Sequence, residues 1–349
     1  MSLHPFVCKY FKFPVGQPVI HVGDACRDTE SMLQKEGLTK CIPPPRTLYH
    51  PMLPFRCNGK LLFWLCKTCA TKQSTEDPCP HEAVADKALT ATWVIDEIRL
   101  AVGKGYRVVE VYEVYENKIT QYDPATEQGG LFVEYIKTFL KLKAEVSGYP
   151  SWVRTSEDED SYINAFMASE GIRIDRNNIR DNAAKRALAN QCINSMWGKL
   201  TELNYRTMTE FISKPQELYK FLATPGIEVV NLLFASDHVV WISWTYAAEG
   251  KIPNLPHIKE FIESYAIAGA RIHLYAYLDK LQERAIYTDT DSIIYIQDYA
   301  EPPLIDCGDK LGSMKKRITA RRIYRRVCQR RAKKLFLKGV RRNRYHKDE

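Results

Sequence analysis

The sequence has no apolar run long enough to cross a bilayer. Its longest, such as residues 229–235, fall far short of the ~20 residues a spanning helix needs. Nor does the start of the chain, residues 1–12, show the charged-then-apolar pattern of a secretory signal. Ten cysteines spread over 349 residues do not make the dense framework of a small secreted domain. No internal repeat is present, and no low-complexity tract precedes the C-terminal tail. These absences argue against a secreted or membrane-embedded protein and lead to the expectation of an intracellular, reducing setting with no membrane partner. What is present is a 45% hydrophobic chain, long enough for one large core or two smaller ones.

Charge is unevenly placed. The formal net charge is +8, yet after Met314 the chain carries 16 Lys and Arg against two acids, which leaves 34 basic and 40 acidic residues in the body. A basic tail on a mildly acidic body suits a polyanion partner, or is a disordered arm. Arg325, Arg326, Arg330, Arg331, Lys333 and Lys334 lie close enough in sequence to form one basic helix against a phosphate backbone. Tyr324, Phe336 and Tyr345 are interleaved for stacking. The other reading is an out-of-frame end whose basicity is accidental.

Along the body, the prolines of residues 43–54 exclude helix and force an extended connector. A short strand is expected at 60–65. Cys66-x-x-Cys69 follows, then Cys79-x-His81. Two thiols on a turn with a nearby Cys and His suffice for a tetrahedral structural zinc site; four unrelated residues is the alternative. Trp93, Ile95, Ile98, Leu100 and Val102 predict a helix from residue 91, stopped at Gly103 or Gly105. Residues 107–115 alternate as a strand. Phe132, Tyr135, Ile136, Phe139, Leu140 and Leu142 predict a helix over 131–146, with Lys137, Lys141 and Lys143 along it. Residues 156–161 read as an acidic loop.

Asp181-Asn182 is an N-cap signal for a helix over 183–200. On it Arg186, Asn190 and Asn194 share a stripe. That stripe could hold a triphosphate, or be one side of an ordinary amphipathic helix. Two strands are expected around Ser236-Asp237-His238, and a long helix over 258–281 with Phe261, Ile262, Tyr265, Ile272, Tyr275 and Leu278 inward. The pattern is α+β, with helices backing an antiparallel sheet.

Residues 285–296 read as a hairpin, two Ile- and Tyr-rich arms around a polar tip. In extended backbone Asp289 and Asp291, two apart, point to the same side. Two such carboxylates at the end of a buried hairpin repel unless a cation sits between them, and Mg²⁺ suits all-oxygen ligands. Two such ions can clamp a phosphoryl transfer. A plain Asp-rich turn is the alternative.

Tyr287-Thr-Asp-Thr-Asp-Ser292 resembles motif C of the family B DNA polymerases, Tyr-x-Asp-Thr-Asp-Ser. Ser2-Leu3-His4-Pro5 resembles the end of motif A, Asp-x-x-Ser-Leu-Tyr-Pro, with His4 in place of Tyr; its Asp would fall before Met1. Asn194-Ser195-x-Trp197-Gly198-Lys199 resembles motif B, Lys-x-x-x-Asn-Ser-x-Tyr-Gly, with Asn190 at the Lys position. The three occur in the family's order. The chain is similar to the organellar and viral, protein-primed branch carried by Polinton or Maverick transposons.

The resemblance implies a polymerase palm with helical fingers. Residues 1–30 would be palm, 31–90 an insert with the possible zinc site, 91–210 fingers, 211–312 palm, and 313–349 the tail; exonuclease and thumb domains find no place. It implies a DNA-directed DNA polymerase with two Mg²⁺ ions, acting on a DNA primer-template and deoxynucleoside triphosphates, possibly with a terminal protein as primer. Asp289 and Asp291 would be catalytic metal ligands. Leu3, His4, Arg186, Asn194, Trp197, Gly198, Tyr287 and Thr290 would line the nucleotide site. Lys199, Arg325, Arg326, Arg330 and Arg331 would touch DNA. The alternative is a catalytically silent remnant that binds nucleic acid through its tail.

Overall fold

The structure, a computed structural model, describes residues 3–35, 40–42, 48–74, 79–200, 207–246, 256–298, 300–316, 323–330 and 334–340. The chain opens with α1 (Leu3–Tyr10), β1 (Phe13–Val22) and α2 (Thr29–Gln34), then β2 (Lys40–Ile42), β3 (Phe55–Cys57) and β4 (Lys60–Leu62). Short helices α3 (Lys67–Lys72) and α4 (Val84–Lys87) precede α5 (Ile95–Gly103), β5 (Arg107–Glu110) and β6 (Glu113–Thr120). Next come α6 (Val133–Glu145), α7 (Ser156–Glu170) and α8 (Ala183–Leu200). Then follow β7 (Met208–Ile212), α9 (Pro215–Leu222), β8 (Ile227–Ser236), β9 (Val239–Tyr246) and α10 (Pro256–Leu281). Strands β10 (Ala285–Asp289), β11 (Ser292–Tyr295), β12 (Ile323–Arg330) and β13 (Lys334–Val340) complete it.

The class is α+β with small antiparallel sheets. Strands pair as β1–β6, β2–β5, β3–β4, β10–β11 and β12–β13, and β7, β9 and β8 make a three-stranded sheet. Among the described residues the β10–β11 hairpin gains no third strand, so one helix-backed sheet is not what these strands build.

Helix α10 is the spine. Two core clusters meet along it. One holds Leu53, Leu89, Trp93, Ile95, Ile98, Tyr106 and Tyr275. The other holds Leu3, Val7, Phe13, Val94, Tyr265 and Ala266. Gly269 lets α1 lie close: a Cβ there would stand 2.7 Å from Phe11 Cδ1 and 2.8 Å from Val7 Cγ1. Two buried ion pairs lock the packing. Lys9 Nζ reaches the Glu170 carbonyl at 2.6 Å and its Oε2 at 3.4 Å, while Glu170 Oε1 accepts from Leu311 N. Arg271 Nε donates to Glu97 Oε1 at 2.6 Å, tying α10 to α5.

Several expectations change here. The acidic 156–161 segment is the first turn of α7. Thr155 Oγ1 accepts from Asp158 N, and Asp158 Oδ2 accepts from Thr155 N and Arg154 N. Acids at that end oppose the helix dipole favourably, so acidity here marks a helix start rather than a loop. Helix α5 starts at Ile95, not residue 91. Trp93 stays outside it, buried, with its Nε1 donating to Pro54 O at 2.8 Å. The 107–115 strand breaks at Val111-Tyr112 because its halves serve different partners, β2 and β1. Strands β3 and β4 turn on Asn58-Gly59, both at positive φ, a hairpin signal that the reading of 60–65 as a lone strand passed over. The proline-rich connector lies partly outside the described residues, at 43–47.

Candidate functional site

Three segments far apart in sequence converge at the front of α1. His4, in its first turn, stacks on Trp197 of α8 with ring centroids 4.0 Å apart and planes 11° from parallel. Burial lowers the His4 pKa below its ordinary value, and the Asp291 carboxylate at the hairpin tip opposes that shift. The lowered pKa favours the neutral imidazole, which stacks on the indole and feels the Asp291 charge. No local periodicity pairs His4 with Trp197, although the motif resemblance assigns both to one nucleotide site. Only the packing of α1 against α8 and α10 brings them together.

The hairpin itself forms as expected, but its tip differs. Asp289 pairs with Ser292, so Thr290 and Asp291 are a two-residue turn. Extended geometry ends at Asp289, and the same-side alignment with Asp291 ends with it. Asp289 Oδ1 accepts from Thr290 N at 2.7 Å and from Thr290 Oγ1 at 3.2 Å. Asp289 and Thr290 are exposed, and Tyr287 and Asp291 half-buried. The hairpin is anchored rather than buried: Ala285, Ile293 and Tyr295 pack on Leu274, Leu281, Ile305 and Met314 at its base, leaving the tip in solvent.

On α8, Asn182 caps as expected, its Oδ1 accepting from Lys185 N at 3.0 Å. Arg186, Asn190 and Asn194 are exposed. Lys143 of α6 has its pKa lowered by burial and by the charges of Lys315 and Arg186, which places three cations in one neighbourhood. Gly198 has open space beside it, since a Cβ there would meet nothing within 4 Å. Leu3 is 1% exposed and belongs to the core, so its side chain is not open to a bound nucleotide. The Lys199 side chain and all of Arg331 lie outside the described residues. Arg325, Arg326 and Arg330 fall on β12, so the described part of the tail expected to be disordered or helical is an antiparallel strand pair, Ile323–Arg330 with Lys334–Val340.

The cysteine cluster is the tightest grouping. Cys66 is the N-cap of α3, its Sγ accepting from Cys69 N at 3.5 Å. One turn brings Cys69 beside it. The returning chain delivers Cys79 and His81. Cys69 Sγ lies 3.3 Å from Cys79 Sγ; His81 Nδ1 lies 3.7, 3.4 and 3.5 Å from the sulfurs of Cys66, Cys69 and Cys79. All four ligand atoms fall within 4.8 Å of one another. Burial pushes the Cys69 thiol up. Burial acts on Cys79 the same way, but hydrogen bonds from His81 and the neighbouring thiols outweigh it and pull Cys79 down. The cluster could hold a metal ion. Among the described residues no third His, Cys, Asp or Glu joins Asp289 and Asp291 in such a group.

Set against family models, curated proteins and solved structures, the chain matches none. Among the described residues, no helix is long and apolar enough to cross a membrane.

Proposed function

We propose that this chain is the palm-and-fingers part of a family B DNA polymerase of the protein-primed type, built to hold a deoxynucleoside triphosphate against a DNA primer-template. One observation carries the reading. The segments resembling motifs A and B supply His4 and Trp197, which stack on one another, and Asp291 of the segment resembling motif C acts electrostatically on His4. The stacked His4–Trp197 pair offers an aromatic floor to a base or sugar. Gly198 leaves room beside it, and Arg186 is an exposed cation on the same helix.

In the family Mg²⁺ stabilises charge on the transferred phosphoryl group. Here Asp289 and Asp291 would hold such an ion. Their oxygen donors suit it, yet Asp289 is engaged by Thr290 and the pair has no third carboxylate among the described residues, so weak binding is expected. Zinc at the cysteine cluster would be structural and take no part in transfer.

A photoreactive azido-dATP tests the reading. Labelling should fall on peptides holding His4 or Trp197 and drop in Trp197→Ala; labelling elsewhere sinks it. A second reading, a silent nucleic-acid binder, draws on His4 and Asn190 standing where the family has Tyr and Lys, and on the engaged Asp289. Primer extension with Mg²⁺ decides between them. Extension that vanishes in Asp291→Ala establishes the enzyme; DNA binding without extension establishes the binder.

A further inference from the structure

We propose that Cys66, Cys69, Cys79 and His81 bind one Zn²⁺ as a closed tetrahedral site, and that this ion fastens the 79–81 segment to α3. The proposal stands apart from the polymerase reading, since no ligand belongs to a motif used there.

The argument begins with distances. Zinc–sulfur bonds of ~2.3 Å and zinc–nitrogen bonds of ~2.0–2.1 Å at tetrahedral angles place ligand atoms about 3.8 Å apart for two sulfurs and about 3.6 Å for sulfur and nitrogen. The three S···Nδ1 separations here, 3.7, 3.4 and 3.5 Å, bracket that value. The Cys69–Cys79 separation of 3.3 Å is shorter by about half an ångström, a shift that side-chain torsion can supply. A common centre therefore exists for all four atoms. Three thiolates and an imidazole are a soft set that selects zinc over Mg²⁺ or Ca²⁺. Four protein ligands fill the tetrahedron and leave no position for substrate, so the ion is structural.

Between Ala70 and Ala88, the described residues bury little that would hold the segment in place. Helix α3 has six residues and α4 four, each far too short to stand without tertiary support. The buried residues from Cys66 to Leu89 are few: Cys66, Cys69, Ala70, Ala88 and Leu89. Apart from the cluster, α3 reaches α4 through Thr68 Oγ1 donating to Asp86 O at 3.0 Å, and reaches the β3–β4 turn through Asn58 Nδ2 donating to Thr71 O at 3.3 Å. A metal joining α3 to the 79–81 segment supplies the constraint that apolar burial does not. Loading displaces protons from the thiols, and those protons go to solvent.

The test uses the full chain, purified under reducing conditions. Elemental analysis should find about one zinc per chain. Exchange into Co²⁺ should give the visible d–d bands of a tetrahedral thiolate site. Cys69→Ser should lose the metal. Because that variant is free to misfold, His81→Cys is the partner measurement: it keeps four ligands, should keep zinc, and should shift the Co²⁺ spectrum toward four-sulfur coordination. Chelation should open trypsin cleavage after Lys72 and Lys87 while the α1–α10 core stays resistant. Metal-free protein that gives no Co²⁺ spectrum on anaerobic reconstitution overturns the proposal. So does a Cys69–Cys79 disulfide in the native chain, and so does an unchanged digestion pattern after zinc removal.

Discussion

At the scale of single residues, His4 is the informative one. Burial holds its pKa below the ordinary 6.5, and Asp291 opposes that. The sign follows. In acid the unfolded chain binds a proton at His4 more readily than the folded chain, so stability falls as pH drops through and below that ordinary value. His4→Phe should flatten this part of the stability–pH curve. Asp291→Asn should lower the His4 pKa further, because the opposing charge is gone; the imidazole resonances read it directly by NMR. A His4 pKa unmoved by Asp291→Asn would show that hairpin tip and helix start do not meet in solution.

At the scale of elements, α1 is placed by a missing side chain. Helix α10 accepts it because Gly269 has no Cβ. Gly269→Ala should overpack Val7 and Phe11. Overpacking of this kind costs about 1–3 kcal/mol, and urea unfolding would report it. Loss of the His4–Trp197 contact should accompany it, seen as a change in indole fluorescence; an unchanged midpoint would mean that α1 does not lie as close as described.

What could be read from sequence divides along the same line. Helix α6 was legible from its 3.6-residue period, α10 from the length of its apolar run, and α8 from the Asn182 cap that announces its start. Helix α7 was not, because its charged first turn imitates a loop. The carboxylates of the hairpin were legible as a pair. Their divergence was not, because it depends on where the strand ends and the two-residue turn begins. The cysteine cluster was legible from spacing alone: Cys66-x-x-Cys69 is local, and Cys79-x-His81 needs only a short return. The His4–Trp197 stack depends on tertiary packing across most of the chain, which no local pattern encodes.

At the scale of the whole molecule, the chain joins a basic tail to a mildly acidic body, and the tail's strand register makes the last prediction quantitative. Arg330 pairs with Lys334 and Arg326 with Lys338, so two rungs of the ribbon join cation to cation. Single-stranded DNA laid along these two rungs would neutralise about four phosphates, a slope of log affinity against log salt near −3. If all 16 cations after Met314 acted as an unstructured arm, the slope would approach about −11. The ribbon reading expects the shallow slope, halved by Arg326→Gln with Lys338→Gln, and most of the affinity lost from a chain ending at Met314. A steep slope indifferent to that pair would show that charge density, not strand register, holds the nucleic acid. Undiminished binding by the shortened chain would place the DNA on the body, beside His4 and Trp197.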